Sequence, residues 1–137
     1  MARVIIDLPE KFQFSTNVEV HISNINYGGH LGNDGTLSMV HEARLRFLNK
    51  YDYTETQIEG IGLVVTDAAL VYKTQVFHGD VITVEVAATN FNKYGCDFFF
   101  RLTNSETGIE TARAKTGIVF YDYKTSKICE VPDNLKF

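Results

Sequence analysis

The sequence predicts an α+β fold in which one early helix packs against a largely antiparallel sheet. Three observations indicate this fold. Only one stretch of real length has helical periodicity, several stretches alternate apolar and polar residues, and short turn-forming segments separate them. With 137 residues, 45% of them hydrophobic and 22% charged, the chain is expected to form one globular domain, residues 1–137.

The first strand is expected over residues 12–22, where apolar and polar side chains alternate. A period of two places alternate residues on one face, so one face of this strand is expected to be buried. The residues predicted to face the core are Phe12, Phe14, Val18, Val20 and Ile22.

A glycine-rich loop, residues 24–35, leads into the predicted helix. Its glycines and asparagines permit tight turns and positive φ angles. Asn33 is the predicted N-cap, and Asp34 is an acid in the first turn, where the helix dipole favours it. Such a loop presents backbone N–H groups to an oxyanion or a phosphate. The predicted buried face comprises Leu37, Val40, Ala43, Arg44, Phe47, Leu48 and Tyr51.

At least four strands are expected after the helix. Residues 63–73 are apolar on both faces, as expected for a strand inside a sheet that is covered twice. Alternating strands follow at 82–89, 96–103 and 112–120, and the chain after Pro132 is predicted to be loose. Because one helix cannot cover both faces of a five-stranded sheet, the apolar strand 63–73 predicts dimerisation.

Composition excludes several classes of protein. A net charge of −4 argues against a general binder of nucleic acid or of anionic membranes. The sequence contains no apolar run of the roughly 20 residues that a membrane span needs, and no signal sequence opens it. Cys96 and Cys129 do not form a close metal-type pair, so no metal site is predicted. Two isolated thiols without a signal sequence predict a cytoplasmic location.

Two motifs stand out in the sequence. The first is G-H-x-x-N, here Gly29, His30 and Asn33, followed by a helix with E-A-R at 42–44 and F-L at 47–48. The second is YKTQVFHGD at 72–80. Both resemble motifs of the hotdog-fold acyl-CoA thioesterases of the 4-hydroxybenzoyl-CoA thioesterase-like family, whose second motif is Y-x-x-P-x-x-x-G-D, with Gln75 here in place of the proline. The resemblance covers roughly residues 18–128. It implies a single hotdog domain, in which an antiparallel five- to six-stranded sheet wraps around one long central helix.

The resemblance implies hydrolysis of an acyl-CoA thioester to a carboxylic acid and a free thiol. Coenzyme A would be part of the substrate, and no other cofactor is implied. The reaction needs a base that acts on water and donors for the developing oxyanion. The family's loop carboxylate, three residues before the glycine of the G-H pair, is Asn26 here, which can neither attack nor remove a proton.

A second family placement of the acid lies on the helix, seven residues after a helix-start glycine. Counting from Gly35 gives Glu42, which is therefore the candidate general base. The alternative is that Glu42 is an exposed helix acid paired with Arg46 at i+4.

The predicted catalytic residues are thus Glu42, Asn26 and His30. His30 would polarise the thioester carbonyl or orient a water, and its alternative role is to pin the loop. Asn26 would hold the water or the carbonyl oxygen, unless it is only a turn residue. Asp34 and Gly35 would supply backbone donors for the oxyanion. The predicted substrate-binding residues are Tyr27, Gly29, Asn33, Asp34 and Gly35.

Two alternative functions remain open. One is a non-catalytic acyl-thioester binding protein, in which Asn26 marks a lost catalytic acid. The other is a hotdog hydratase or dehydratase, although their signature contexts of a histidine with a paired acid are not found. The expected partner is an acyl-CoA or acyl-carrier-protein thioester, with neither nucleic acid nor membrane. The family's habit of pairing subunits implies a dimer or a tetramer.

Overall fold

A computed structural model describes residues 3–137, so residues 1–2 of the predicted domain lie outside the described part. The described chain has one α-helix, one short 3-10 helix and six strands, as predicted for an α+β fold with five to six strands. In order they are β1 Phe14–Glu19, a 3-10 helix Ile22–Asn24, α1 Asn33–Asn49, β2 Gly62–Tyr72, β3 Val81–Thr89, β4 Gly95–Asn104, β5 Glu110–Asp122 and β6 Lys127–Cys129.

The six strands form one sheet in the order β1-β3-β4-β5-β2, and every pair is antiparallel. The short β6, which was not predicted as a strand, pairs with the end of β5. Helix α1 packs on one face of this sheet, chiefly against β1 and β3. Its Phe47 is fully buried against Phe98, with ring centroids 5.6 Å apart. The core therefore lies between α1 and the middle strands, where aromatic burial contributes most.

The predicted buried face of the helix is correct over its middle and wrong at its ends. Val40, Ala43, Arg44, Phe47 and Leu48 are buried, whereas Leu37 is 40% exposed and Tyr51 is only partly buried. The N-cap is Gly32 rather than Asn33, because the backbone N–H of Thr36 and the Thr36 hydroxyl both donate to Gly32 O. Glycine is among the residues that tolerate the N-cap position, although it has no side chain to accept a first-turn N–H.

The first strand is shorter than predicted. It ends at Glu19, and the chain then turns into the 3-10 helix, where Asn24 Oδ1 accepts the backbone N–H of His21. Ile22, predicted to face the core, is 69% exposed as a result. The local bond of the asparagine side chain has overridden the period-two pattern.

Strand β2 lies at an edge of the sheet and not inside it, so the prediction of an interior strand is wrong. Its single neighbour is β5, and Val65 is 42% exposed. The strand bulges between Val65 and Asp67, where Asp67 turns outward and accepts a bond from Lys115 Nζ at 2.7 Å. The apolar sequence of this edge strand is therefore not explained by burial within one chain.

The segment after Pro132 is packed, which corrects the prediction of a loose tail. The Phe137 ring lies 5.2 Å from that of Phe47 and 5.9 Å from that of Phe98, centroid to centroid. Asn134 Nδ2 donates to Glu59 Oε1 at 2.8 Å. The tail therefore closes the core at the C-terminal end of α1. Within residues 3–137, no helix is both long and apolar enough to cross a membrane.

Phe137→Ala is expected to lower the free energy of unfolding by about 2–3 kcal/mol, less than for a fully buried phenylalanine because Phe137 is only partly buried. Urea unfolding followed by circular dichroism measures it. Ile128→Ala, at an exposed position, serves as control and should stay within about 0.5 kcal/mol of wild type. An unchanged midpoint for Phe137→Ala would contradict the packed tail.

Candidate active site

A cavity of about 480 Å³ opens where the glycine-rich loop, the start of α1 and the segment after β2 meet. Its floor is apolar, formed by Leu31, Val76, Leu102 and Ala112. The polar groups that line it are Asn26, His30, Asn33, Thr36, Tyr72, Lys73, Thr74, Gln75 and Thr111. An apolar floor with a few convergent polar groups is the usual form of a small-molecule site.

Backbone hydrogen bonds fix the loop over this cavity. The Asn26 N–H donates to His30 O at 2.9 Å, and the Leu31 N–H donates to Val76 O at 2.7 Å. The loop also packs closely on the helix start, since a Cβ on Gly35 would lie 2.7 Å from Asn24 O. Glycine is therefore required at residue 35 for the loop to approach the helix.

Asn26 has the turn role that the sequence left open. Its Oδ1 accepts the Gly28 N–H at 2.9 Å, which forms an Asx turn. This bond orients the side-chain amide, whose Nδ2 faces the helix start 3.6 Å from where a Cβ on Gly32 would lie. Within residues 3–137 Nδ2 makes no hydrogen bond, so it is available as a donor in the cavity.

His30 lies in the cavity wall close to Asn26. Its Nδ1 is 3.5 Å from Leu31 O, the length of a weak hydrogen bond. If Nδ1 carries the proton of that bond, Nε2 is left as an acceptor, and the ring can still turn to donate. The loop thus brings two of the three predicted catalytic residues to one cavity.

The predicted oxyanion donors are arranged differently from the expectation. The Gly35 N–H donates to Asp34 Oδ1 at 2.9 Å and is therefore occupied. The first-turn N–H groups of Asn33 and Asp34 have no acceptor within the helix, as at any helix start. Of the predicted substrate-binding residues only Asn33 lines the cavity. Tyr27, Gly29 and Asp34 are exposed, and Gly35 is buried outside the lining.

Glu42 lies outside this cavity. It follows Asn33 by nine residues, which at about 100° per residue places it on the opposite side of the helix. There it lines a second cavity of about 540 Å³, and its Oε2 accepts Arg46 Nε at 2.7 Å. Within one chain Glu42 does not meet Asn26 or His30, and its role as general base stays a prediction.

The geometry predicts that Glu42→Gln changes kcat/KM for thioester hydrolysis by less than about threefold, since its carboxylate is held by Arg46 away from the first cavity. Steady-state thiol release measures this value. A loss of about 10²-fold with an unchanged melting temperature would instead establish Glu42 as the base.

Sequence reasoning missed Thr36, Tyr72, Thr74 and Thr111 in the cavity lining. Thr36 follows Asn33 by three residues, a helical spacing that brings both to one face. Tyr72 is the first residue of the second motif, and its place in that motif could have identified it as a site residue. Desolvation raises the pKa of Tyr72 and the Asp34 charge adds to the rise, so its hydroxyl stays protonated as a donor at neutral pH.

Other nucleophiles and metal ligands are poorly placed. Burial raises the pKa of the Cys96 thiol to about 12, so it is protonated at neutral pH. Within the part of the chain that the structure describes, no three His, Cys, Asp or Glu side chains cluster closely enough to hold a metal ion.

Several solved structures with the same fold are named as thioesterases. The 1,4-dihydroxy-2-naphthoyl-CoA thioesterase from Synechocystis has a TM-score of 0.79 and 20% identity, covering 87% of this chain and 89% of that chain. YbaW, a probable thioesterase from Escherichia coli, has a TM-score of 0.73 and 21% identity, covering 85% and 88%. The DHNA-CoA thioesterase from Staphylococcus aureus has a TM-score of 0.76 and 19% identity, covering 85% and 78%. At these identities the likeness shows the fold.

The family is shown by the sequence itself. The profile of the thioesterase-like superfamily matches residues 20–136, which is most of the chain, whereas no curated protein matches significantly. The predicted hotdog fold is confirmed, and the match supports the prediction of a thioester hydrolase. By this match, the chain belongs to the thioesterase-like superfamily.

Proposed function

We propose that the protein hydrolyses an acyl-CoA thioester in the first cavity, releasing a carboxylic acid and free coenzyme A. The observation that carries this proposal is the meeting of Asn26, His30 and the first turn of α1 over an apolar floor. The floor suits the acyl group, and the polar rim suits the thioester. Family membership supports the reaction class.

In this proposal the polar groups of the cavity bind either the thioester carbonyl oxygen or the attacking water. Asn26 Nδ2 and the free N–H groups of the first helical turn are donors for the thioester oxygen, on which negative charge develops when water attacks. Donors already fixed by the loop need no reorganisation during the reaction, and the Asx turn fixes Asn26 in this way. His30 donates a further hydrogen bond to the carbonyl oxygen or to the water.

The acyl group to test first is a hydroxylated aromatic one. Two of the similar solved structures are named for the substrates 1,4-dihydroxy-2-naphthoyl-CoA and DHNA-CoA. In this chain Tyr72 and Thr111 add hydroxyl groups to an otherwise apolar floor, where they can bond to ring hydroxyls. A cavity of about 480 Å³ is large enough for a bicyclic ring.

A thiol-release assay over short, long and aromatic acyl-CoAs, and over an acyl-carrier-protein thioester, tests this function. We expect saturable release of free thiol with at least one of them. The binding-protein alternative is favoured by Asn26 and by a described cavity lining that contains no Asp or Glu. Saturable binding without thiol release would support that alternative and overturn the proposed function.

The active form is proposed to be a dimer joined through β2. Its outer edge pairs with no strand of the described chain, and Asp67 is the one charged residue within Gly62–Tyr72. Exposed Leu37 and Leu45 add apolar surface. An unguarded apolar edge favours pairing with another strand, and a second copy of the same edge matches it in length. The edge strand β1 is shielded instead, since Arg46 Nη1 donates to Asn17 O at 2.7 Å.

We therefore expect light scattering to give a mass of at least twice 15.5 kDa at micromolar concentration. Replacing Val65, at the exposed middle of β2, by lysine should shift the protein toward the monomer, because a charge on this strand opposes edge pairing. A wild-type protein that stays monomeric would contradict the dimer and leave the thioesterase proposal to the thiol-release assay.

A further inference from the structure

Lys73 is the only lysine or arginine in the described lining of the first cavity, and that lining contains no Asp or Glu. Within residues 3–137 its ammonium has one ion-pair contact, with Glu110, whose Oε1 lies 4.0 Å from Lys73 Nζ. This distance is too long for a hydrogen bond. The ammonium therefore has no hydrogen-bond acceptor in the described chain, although its side chain is only 39% exposed.

The carboxylate of Glu110 is already bound by another cation. Its Oε2 accepts Arg113 Nε at 2.7 Å, and its Oε1 accepts Arg113 Nη2 at 3.2 Å. A planar guanidinium matches both oxygens of a carboxylate, which a single ammonium cannot do. The other acid close to the site, Asp34, lies outside the lining and accepts the Gly35 N–H. Lys73 therefore adds a positive charge to the cavity that no described acid neutralises.

Gln75 adds neutral donors to the same wall of the cavity. It stands where the second motif of the family has a proline, a residue without an N–H. Within residues 3–137 neither the backbone N–H of Gln75 nor its side-chain amide donates a hydrogen bond. One ammonium and two unoccupied kinds of N–H donor are suited to a negatively charged oxygen group.

Hydrogen bonds fix this wall at both ends. The N–H groups of Lys73 and Thr74 donate to Thr111 O at 2.8 Å and 3.2 Å. At the other end, Val76 O accepts the Leu31 N–H at 2.7 Å. The backbone that carries the donors is thus ordered before a ligand binds, which lowers the entropic cost of binding.

The free ammonium lies at a distance from the groups proposed to bind the thioester. His30 directly precedes Leu31, so Asn26 and His30 are at the Val76 end of the wall. Lys73 comes three residues before Val76, and three residues of extended chain span about 10 Å at most. A small acyl group whose carbonyl oxygen is at Asn26 can therefore place its far end near Lys73.

We propose that Lys73, assisted by Gln75, binds a negatively charged oxygen group at the far end of the acyl part. A carboxylate is the group that carries this charge throughout the neutral pH range. The proposal rests on the proposed function and names the class of acyl group. Lys73 is then a residue that determines specificity, and it takes no part in the proton transfers.

Two physical arguments favour the acyl part as the source of the charge. An ammonium beside an apolar floor is stabilised by an anion and left without a counter-charge by a neutral acyl group, so the site discriminates between them. The phosphates of coenzyme A are separated from the thioester by the whole pantetheine arm. Lys73 and Asn26, in contrast, line one and the same cavity.

Two matched pairs of acyl-CoAs test the proposal, hexanoyl-CoA with adipoyl-CoA and benzoyl-CoA with 4-carboxybenzoyl-CoA. The second member of each pair carries a carboxylate at the end remote from the thioester. The measured quantity is the ratio of kcat/KM between the charged and the neutral member, from steady-state thiol release. We expect a ratio of roughly 10 or more in at least one pair for the wild-type protein, expressed mainly in KM.

Lys73→Met should bring this ratio to about one, whereas Lys73→Arg, which keeps the charge, should retain most of it. Gln75→Pro, which removes both kinds of N–H donor, should lower the ratio in part. Lys127→Met removes the same charge from the exposed strand β6, outside the cavity, and is the matched control. It should keep the wild-type ratio.

A wild-type ratio near one in both pairs would overturn the inference, and thiol release from the neutral members would leave the proposed function intact. A high ratio that persists in Lys73→Met would overturn it equally. An equal loss for both members that disappears with the phosphate-free pantetheine thioesters would assign Lys73 to a phosphate of coenzyme A instead. Absence of thiol release from every acyl-CoA would remove the proposed function, and this inference with it.

Discussion

Asn26→Ala is expected to lower kcat/KM for thioester hydrolysis by roughly 10²–10³-fold, the usual loss when one oxyanion donor is removed. In the proposed function Asn26 has two connected roles, because its Oδ1 accepts the Gly28 N–H and shapes the loop, while its Nδ2 would donate to the thioester oxygen. Alanine removes both roles. Steady-state thiol release with the best acyl-CoA of the panel measures the loss, and circular dichroism checks the fold.

Asn26→Asp separates these two roles. An aspartate still accepts the Gly28 N–H, so the turn is kept, but it presents an oxygen where the amide nitrogen was. We expect the variant to stay folded and to lose activity nearly as strongly as the alanine variant. A large gain in thiol release over wild type would contradict this view of the site. It would indicate that the chain is a thioester-binding protein that has lost the catalytic acid of its loop.

Gly95→Ala is expected to lower the free energy of unfolding by about 3 kcal/mol or more. A Cβ at this position would lie 1.9 Å from Ile118 O and 3.0 Å from Val119 Cα. Both contacts are with the backbone of β5, which no change of rotamer can relieve. Because β4 and β5 form the centre of the sheet, moving them apart also disturbs the core beside Phe98.

Gly108→Ala is the matched control for that substitution. Gly108 has φ of 75°, and a Cβ there would meet no atom within 4 Å. Its cost is therefore the left-handed backbone alone, about 1–2 kcal/mol. Urea unfolding compares the two variants. If Gly95→Ala lost no more stability than Gly108→Ala, the close approach of β4 and β5 would be more adaptable than the structure shows.

The strands were predictable where their signal is local. Strands β3, β4 and β5 follow the period-two pattern that burial on one face imposes, and their observed bounds lie within a few residues of the predicted ones. The edge position of β2 was not predictable, since an apolar run looks the same beside a second strand or beside a second chain. The packing of Phe137 depends on residues far away in sequence, which no local pattern contains.

The site was predictable in its loop but not on its helix. Asn26 and His30 were found because the motif fixes their spacing, and the structure brings both to one cavity. Glu42 was chosen by counting residues along the helix. Such a count does not show which other residues surround that side of the helix, and here they are those of the second cavity.

Arg46 makes the two edges of the sheet differ in their ability to pair with a further strand. Its guanidinium bonds to Thr16 Oγ1 and to Asn17 O, so it occupies a backbone acceptor that a further strand along β1 would need. A chain with two open edges can add copies without limit and grow into fibres, whereas a chain with one open edge closes after the first addition. If copies pair through β2 as proposed, the occupied edge of β1 would make that assembly stop at two copies, and the protein would then stay soluble at high concentration.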